Sequence, residues 1–358
     1  MGSEKRPTTA AVAGAPYLPA DLIPDIARHL TTLQDFFALR AACRAYRAAL
    51  PPSRAVLAAQ PPHLLVHHHS PSPSRPQLAL VHLQRRRLLR FRGPSPGPEA
   101  VLASDGARVA TFDPLTRELA VTHLLSGERV CVPDAPTLFS QAVLSGDLVF
   151  LIAPGWVHYC RLGDGRWQEA YCRLGTSGLL PGLQLDGVCL MFHMRFVNGV
   201  LYALLNTCQL AVAELMENKV QLVPLGGEVD QCVRNAWMES SAFNLGECAG
   251  DPLLIFKLVY KLSAYKIFRW SHGEGRWLRA MNLGGCALFM SSNGFDAWLG
   301  PDSPGVRGDC IYEAMPDAAG WYVYSLVDDT SEFVNIEYQG APEGDVERSQ
   351  VWVLPSLF

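Results

Sequence analysis

The sequence predicts a small all-α unit followed by an all-β propeller of about six kelch-like blades. Three observations predict it. Apolar residues follow a helical step between residues 17 and 50. Two independent markers then recur at a period of roughly fifty residues through the rest of the chain. Turn formers are abundant, with 30 Gly and 26 Pro in 358 residues. A hydrophobic content of 49% with 18% charged residues excludes a mostly disordered chain, a coiled coil and a collagen-like fibre.

Residues 1–16 are small and polar, and disorder is expected there. The first folded unit spans 17–57. Leu22, Ile23, Ile26, Ala27 and Leu30 recur every three or four positions, the step of a helical face. Pro24 places the start of the regular helix near itself, since proline fits only the first turn, and Asp21 and Asp25 favour that end of the helix dipole. Thr32 and Asp35 stand at capping-box spacing and open a second helix carrying Phe36, Phe37 and Leu39. Cys43, Tyr46 and Leu50 extend a helical face until Pro51-Pro52 stops it. A unit this small cannot bury all of that apolar surface alone, which predicts a partner.

From residue 60 to 358 the runs are short, β-rich and broken by Gly, Pro, Asp and Asn. Strand openings at Gly146, Gly199, Asp251 and Gly308 are separated by 53, 52 and 57 residues. Gly165-Arg-Trp-Gln, Asn218-Lys-Val-Gln and Gly275-Arg-Trp-Leu are separated by 53 and 57, and Asp329-Thr-Ser-Glu lies 54 further on. Each is a turn residue followed by a strand, the end of a hairpin. Shorter units occupy 62–92 and 101–133. Val351-Trp-Val-Leu is expected to complete the first blade and close the ring, which removes exposed sheet edges. The Pro-rich segments 70–76 and 93–98 read as loops. The apolar stretch 183–205 is interrupted by Asp186, His193, Arg195 and Asn198, and reads as paired strands rather than a membrane span.

Charge supports two regions. Residues 1–100 hold thirteen Lys/Arg against five Asp/Glu, so the remainder of a chain of net charge −4 is strongly acidic. The ten Cys include no C-x-x-C pair and mostly lie in apolar runs, so reduced, buried thiols are expected instead of disulfides. The N-terminus lacks an apolar signal core, and Arg6 stands where a myristoylation motif needs Ser/Thr. The expected location is cytoplasmic and/or nuclear, with no membrane partner.

No catalytic residues, metal ligands or cofactors are expected. Gly163-Asp-Gly165 and Gly273-Glu-Gly275 read as blade turns, because a phosphate loop would need a third glycine and a following helix. His63, His67, His68 and His69 read as a solvated loop. Gln84–Arg92 reads as a strand with one basic face, the alternative being a nuclear-localisation or nucleic-acid patch. Nucleic acid is not expected as a partner. Trp167 and Trp277 read as core anchors, and Trp298 as an exposed loop residue suited to target contact.

Residues 17–50 resemble an F-box. The Leu18-Pro19 opening and the Leu39-Arg40-Ala-Ala-Cys43-Arg44-Ala-Tyr46-Arg47 ending carry the resemblance, with Tyr46 where the family usually has Trp. The resemblance implies docking on the Skp adaptor of Skp–cullin–F-box ubiquitin ligases. By position, Leu18, Pro19, Leu22, Ile26 and Leu30 would meet the adaptor, and Leu39, Cys43 and Tyr46 would be core or second-face residues. The remainder is similar to the plant KIB-type β-propeller family. Asp113-Pro-Leu-Thr, Leu283-Gly-Gly-Cys-Ala-Leu-Phe-Met, Pro304-Gly-Val-Arg-Gly-Asp-Cys-Ile-Tyr312 and Trp352-Val-Leu-Pro-Ser-Leu carry that likeness. Together they imply a non-catalytic substrate receptor that brings an unidentified protein target to a cullin ligase. The alternative is a ligase-independent propeller scaffold. The chain has only five Lys among its 30 basic residues, a composition that would spare a receptor from its own ligase.

Overall fold

The computed structural model describes residues 18–51, 62–68, 77–90, 100–174, 191–336 and 348–354, apart from positions 20, 31, 32, 85, 87, 125, 154, 206, 217, 218, 227, 228, 262, 302, 304 and 316–319. Three short helices come first: α1 (Ile23–Arg28), α2 (Leu33–Ala42) and α3 (Arg44–Ala49). Pro24 and Asp25 lie in the first turn of α1, where a missing N–H and a negative charge are both tolerated. Ile23, Ala27, Phe36, Tyr46 and Leu50 form the buried core of this unit. Thr32 lies outside the described residues. Cys43 does not extend a helix, as its spacing suggested. It is extended (φ −158°, ψ 168°), and its Sγ accepts a hydrogen bond from the Tyr46 amide, so it caps α3.

Twenty-five strands follow among the described residues. β1 (His63–His68), β2 (Gln77–His82) and β3 (Leu88–Arg90) form an antiparallel meander. β4 (Ala100–Asp105), β5 (Arg108–Asp113), β6 (Glu118–His123) and β7 (Arg129–Val132) form a second. β8 (Gln141–Ser145), β9 (Leu148–Ala153), β10 (Trp156–Arg161) and β11 (Gln168–Leu174) form a third. The fourth comprises β12 (Met191–Val197), β13 (Val200–Leu205), β14 (Leu210–Met216) and β15 (Lys219–Pro224). Parallel pairing of β11 with β15 joins the third and fourth into one eight-stranded sheet.

Helix α4 (Gln231–Met238) leads into β16 (Ser240–Cys248), β17 (Asp251–Leu258), β18 (Tyr265–Ser271) and β19 (Arg276–Ala280). The last sheet contains β20 (Ala287–Ser291), β21 (Gly294–Leu299), β22 (Cys310–Ala314), β23 (Gly320–Ser325) and β24 (Thr330–Asn335), in the order β21-β20-β22-β23-β24. Finally β25 (Arg348–Val353) returns to pair with β1, in the register Leu64↔Trp352. The innermost strands β25, β4, β8, β12, β16 and β21 touch in that cyclic order, and β21 meets β25 again. The fold is therefore a mostly-β propeller closed by its own C-terminal strand.

The repeat markers fall at turns. Gly146, Gly199 and Asp251 precede or open β9, β13 and β17, and Gly308-Asp309 precedes β22. Gly146 and Gly199 have φ of +57° and +78°, the left-handed region that hairpin turns require and glycine adopts without a Cβ clash. The Trp anchors differ in depth. Trp277 is buried and donates to the Cys208 carbonyl at 2.9 Å. Trp167 is half-buried and donates to the Pro133 carbonyl at 3.0 Å. At the closure, Trp352 is fully buried among the rings of Phe289, Tyr312 and Trp321. The 183–205 stretch contains the β12–β13 hairpin, and no helix among the described residues is long and apolar enough to cross a membrane.

Three sequence expectations are corrected. His63, His67 and His68 lie in β1 rather than in a loop. Leu64, Leu65 and Val66 are buried and β1 is paired on both sides, so His63 is carried inside and meets the His82 ring edge-on at 5.1 Å. Trp298 is in the innermost strand β21, not in a loop, and is half-buried. Cys131 and Cys232 are exposed, whereas Cys160, Cys172, Cys208, Cys248, Cys286 and Cys310 are buried thiols outside any disulfide. Cys189, His69, Arg85, Arg87, Arg92 and the segments 70–76 and 93–98 lie outside the described residues.

Candidate interaction site

The predicted adaptor-facing residues gather in the helical unit. Leu18, Ile26 and Leu30 are half-buried against its core, while Pro19 is exposed and Leu22 keeps 46% of its surface in water. Leu39 and Cys43 are also half-buried, and Tyr46 is in the core. The Tyr46 hydroxyl accepts from the Leu18 amide at 3.0 Å and faces the Leu18 carbonyl at 3.4 Å. That pair holds the Leu18-Pro19 segment to α3. The side chains predicted to share a surface are therefore brought together on one small unit.

A second site lies on the propeller axis, and of its residues the sequence pointed only to Trp298. Innermost strands surround two adjoining cavities of about 610 and 260 Å³, which share Leu102, Gln141, Ala142 and Asn293 in their walls. Inner-strand side chains tie neighbouring sheets across the axis. Gln141 Oε1 accepts from the Met194 amide at 2.9 Å, and Asn293 Nδ2 donates to the Val101 carbonyl at 2.9 Å. Arg195 reaches from β12 to β21, donating to the carbonyls of Phe295 (2.9 Å) and Asp296 (3.0 Å), with its guanidinium 4.2 Å above the Phe295 ring. Trp298 Nε1 donates to Glu247 at 2.9 Å. Trp298 thus lines the smaller cavity and braces β16 against β21.

Asp296 is buried beside Arg195. Its carboxylate accepts from Ser291 Oγ and from the Trp352 amide, each at 3.0 Å, and so links the axis to the closing strand. Burial pushes the carboxyl up to about 7, while the two hydrogen bonds and Arg195 pull the other way. Gly294 makes this crowding feasible. Its φ is +111°, and a Cβ there would lie 2.5 Å from the Asn244 side chain.

The larger cavity opens at the starting ends of β8, β12, β16 and β21. Only Lys257 and Glu313 carry charge in its wall among the described residues, and they pair with each other. Ser263 Oγ donates to the second Glu313 oxygen at 2.7 Å. His193 is held uncharged, its pKa lowered to about 4 by burial. α4 contributes Trp237 (41% exposed) to the wall, and the next residue, Met238, is 81% exposed. Val259 and Tyr260 are 62% and 67% exposed. The Val259 amide donates to the Glu239 carbonyl at 3.0 Å, and Tyr260 and Lys266 bond the Glu239 side chain, which fixes this apolar group together. Among the described residues, no three His, Cys, Asp or Glu are placed to hold a metal ion.

A family model described as the KIB1-4 beta-propeller matches residues 80–335. No curated protein matches the chain. Among solved structures, TolB from Acinetobacter baumannii is 12% identical, over 87% of this chain and 73% of that one, with a TM-score of 0.43. Hsv2 from Kluyvelomyces marxianus is 12% identical over 62% of this chain and 67% of its own, with a TM-score of 0.35.

Proposed function

The chain belongs to the KIB1-4 β-propeller family, and we propose that it is the substrate receptor of a Skp–cullin–F-box ubiquitin ligase. In this reading residues 17–57 are the F-box, and 60–358 are a six-bladed propeller that binds a protein target. The chain works in the cytoplasm and/or nucleus. It catalyses nothing itself; the assembled ligase acts on a target held close to it.

One observation carries the reading. The three-helix unit has a complete small core, yet leaves Leu22 prominently exposed beside half-buried Leu18, Ile26 and Leu30. Apolar surface left over on so small a unit is what a partner surface requires. These are the positions at which the F-box resemblance puts the adaptor. The cyclic contact of six innermost strands supports the blade number.

The test is binding of the purified full chain to a Skp adaptor. Leu22→Arg is the first variant, because Leu22 lies outside the core and the unit should stay folded. Leu18→Ala/Pro19→Ala is the second. Micromolar or tighter binding, lost in both folded variants, supports the receptor. No binding by the folded wild type replaces it with a ligase-independent propeller scaffold.

A further inference from the structure

We propose that the larger axial cavity, lined in part by the exposed Trp237, is the target site, and that it takes an uncharged extended peptide segment bearing a bulky apolar side chain. The inference rests on the reading of the propeller as the part that holds a protein target.

The cavity wall selects against charge. Lys257 and Glu313 satisfy one another, Ser263 occupies the remaining Glu313 oxygen, and His193 is uncharged. A charged side chain entering here would lose water and gain no partner, a large penalty. The wall still offers both senses of hydrogen bond. Gln141 accepts through Oε1 and keeps its amide N–H groups to donate. Asn293 donates through Nδ2 and keeps Oδ1 to accept. Ser240 and Ser241 donate to the Trp237 and Lys257 carbonyls and keep their oxygens as acceptors. Alternating N–H and C=O groups of an extended backbone match such a wall.

Trp237 supplies the anchor. Trp237 lines the cavity and keeps 41% of its surface exposed, an aromatic surface open to an incoming side chain. Aromatic residues dominate binding hot spots. Trp237 stands on α4, whose Val233 and Ala236 pack into the propeller core, and the rest of the wall stands mainly on strands. A segment can therefore bury one side chain against Trp237 while its backbone enters the cavity.

The probe is a phage-displayed library of random dodecapeptides, panned on the full chain. Uncharged peptides with one conserved Trp, Phe, Leu or Met are expected to be enriched. A synthetic copy of the leading peptide should bind wild type and lose about tenfold or more with Trp237→Ala, and similarly with Ser241→Arg. Leu215→Arg, on the β14–β15 hairpin, should leave binding unchanged. Melting curves establish that each variant is folded. The proposal is overturned if no peptide is enriched or if the enriched peptides are charged. Binding that survives both the Trp237 and the Ser241 variant overturns it as well, as does an oligosaccharide panel that binds in place of peptides. Adaptor binding is scored separately. Its loss with peptide binding intact removes the ligase reading alone, and the converse removes this one.

Discussion

The Tyr46 hydroxyl lies 3.0 Å from the Leu18 amide, which donates to it across 28 residues of sequence. The same hydroxyl faces the Leu18 carbonyl at 3.4 Å. A tryptophan at this position could only donate, so it could not accept from Leu18. The tyrosine departure from the F-box pattern therefore makes its own tie to the predicted docking segment. Tyr46→Phe should cost about 1 kcal/mol, the worth of one partly buried hydrogen bond. Thermal denaturation would read that loss. Adaptor affinity should fall further than stability accounts for, because Leu18 and Pro19 lose their anchor. Unchanged stability and affinity would refute the role given to the hydroxyl.

Trp352 closes the ring. It is fully buried, its indole N–H donates to the Met290 carbonyl at 2.9 Å, and its backbone pairs with Leu64 of the first strand, closing one sheet from both ends of the propeller sequence. Trp352→Ala should destabilise the chain by about 3–5 kcal/mol through lost burial and the cavity left behind. Urea unfolding would measure it. A loss below about 1 kcal/mol, the level of a surface change, would show that the closing strand contributes little to the fold.

Turns and closure were legible because they leave local marks. Gly146 and Gly199 sit at positive φ, and Val351-Trp-Val-Leu is an apolar strand long enough to complete a sheet. The axial cavity was not legible. Gln141, His193, Ser241, Lys257 and Asn293 come from separate strands or turns and meet only when the ring forms. Trp298 misled for a related reason. Gly294 and Gly300-Pro301 flank it like a loop, yet β21 needs Gly294 to clear Asn244. His63 misled by composition, since a polar residue next to Leu64-Leu65-Val66 follows the strand inward. Gln231–Met238 interrupts its apolar residues with Arg234 and Asn235, yet it folds as α4 on buried Val233 and Ala236.

Asp296 should make stability depend on pH. Its carboxyl is raised from 3.8 to about 7 by burial. The native state then holds a proton that the unfolded chain releases near its ordinary value. Stability from this group is full at acid pH and falls as pH rises through the window up to about 7. Asp296→Asn removes that window. Wild-type stability minus variant stability should drop by about 3 kcal/mol between roughly pH 4.5 and 7.5. Urea unfolding of both proteins at the two pH values tests this; a flat difference rejects it.

Lys257 pairs with Glu313 across two sheets, and the Glu313 side chain is only 9% exposed. Lys257→Met should cost about 2 kcal/mol, because it leaves a nearly buried carboxylate without its cation. The cost falls short of a fully buried pair since Lys257 keeps 26% of its own surface in water. Adding Glu313→Leu should recover most of the loss. A double-mutant cycle on denaturant midpoints decides the matter, and additive losses would mean that the two charges are not coupled.

If the proposed receptor reading holds, lysine placement should decide where a reconstituted ligase modifies this chain. Ubiquitin transfer needs a reachable, unprotonated amine, and the chain offers five Lys. Lys261 pairs with Asp329 at 2.8 Å, but both are well exposed (41% and 68%), so that pair opens readily and gives little shelter. Lys257 differs, being the less exposed amine on a nearly buried carboxylate. Among the described lysines, self-modification should therefore favour Lys261 and omit Lys257. Replacing exposed Arg161, Arg166 and Arg173 with Lys should accelerate it. Mass spectrometry of the modified chain reads both outcomes. Ubiquitin on Lys257, or a rate indifferent to the added lysines, would show that lysine placement does not limit self-modification.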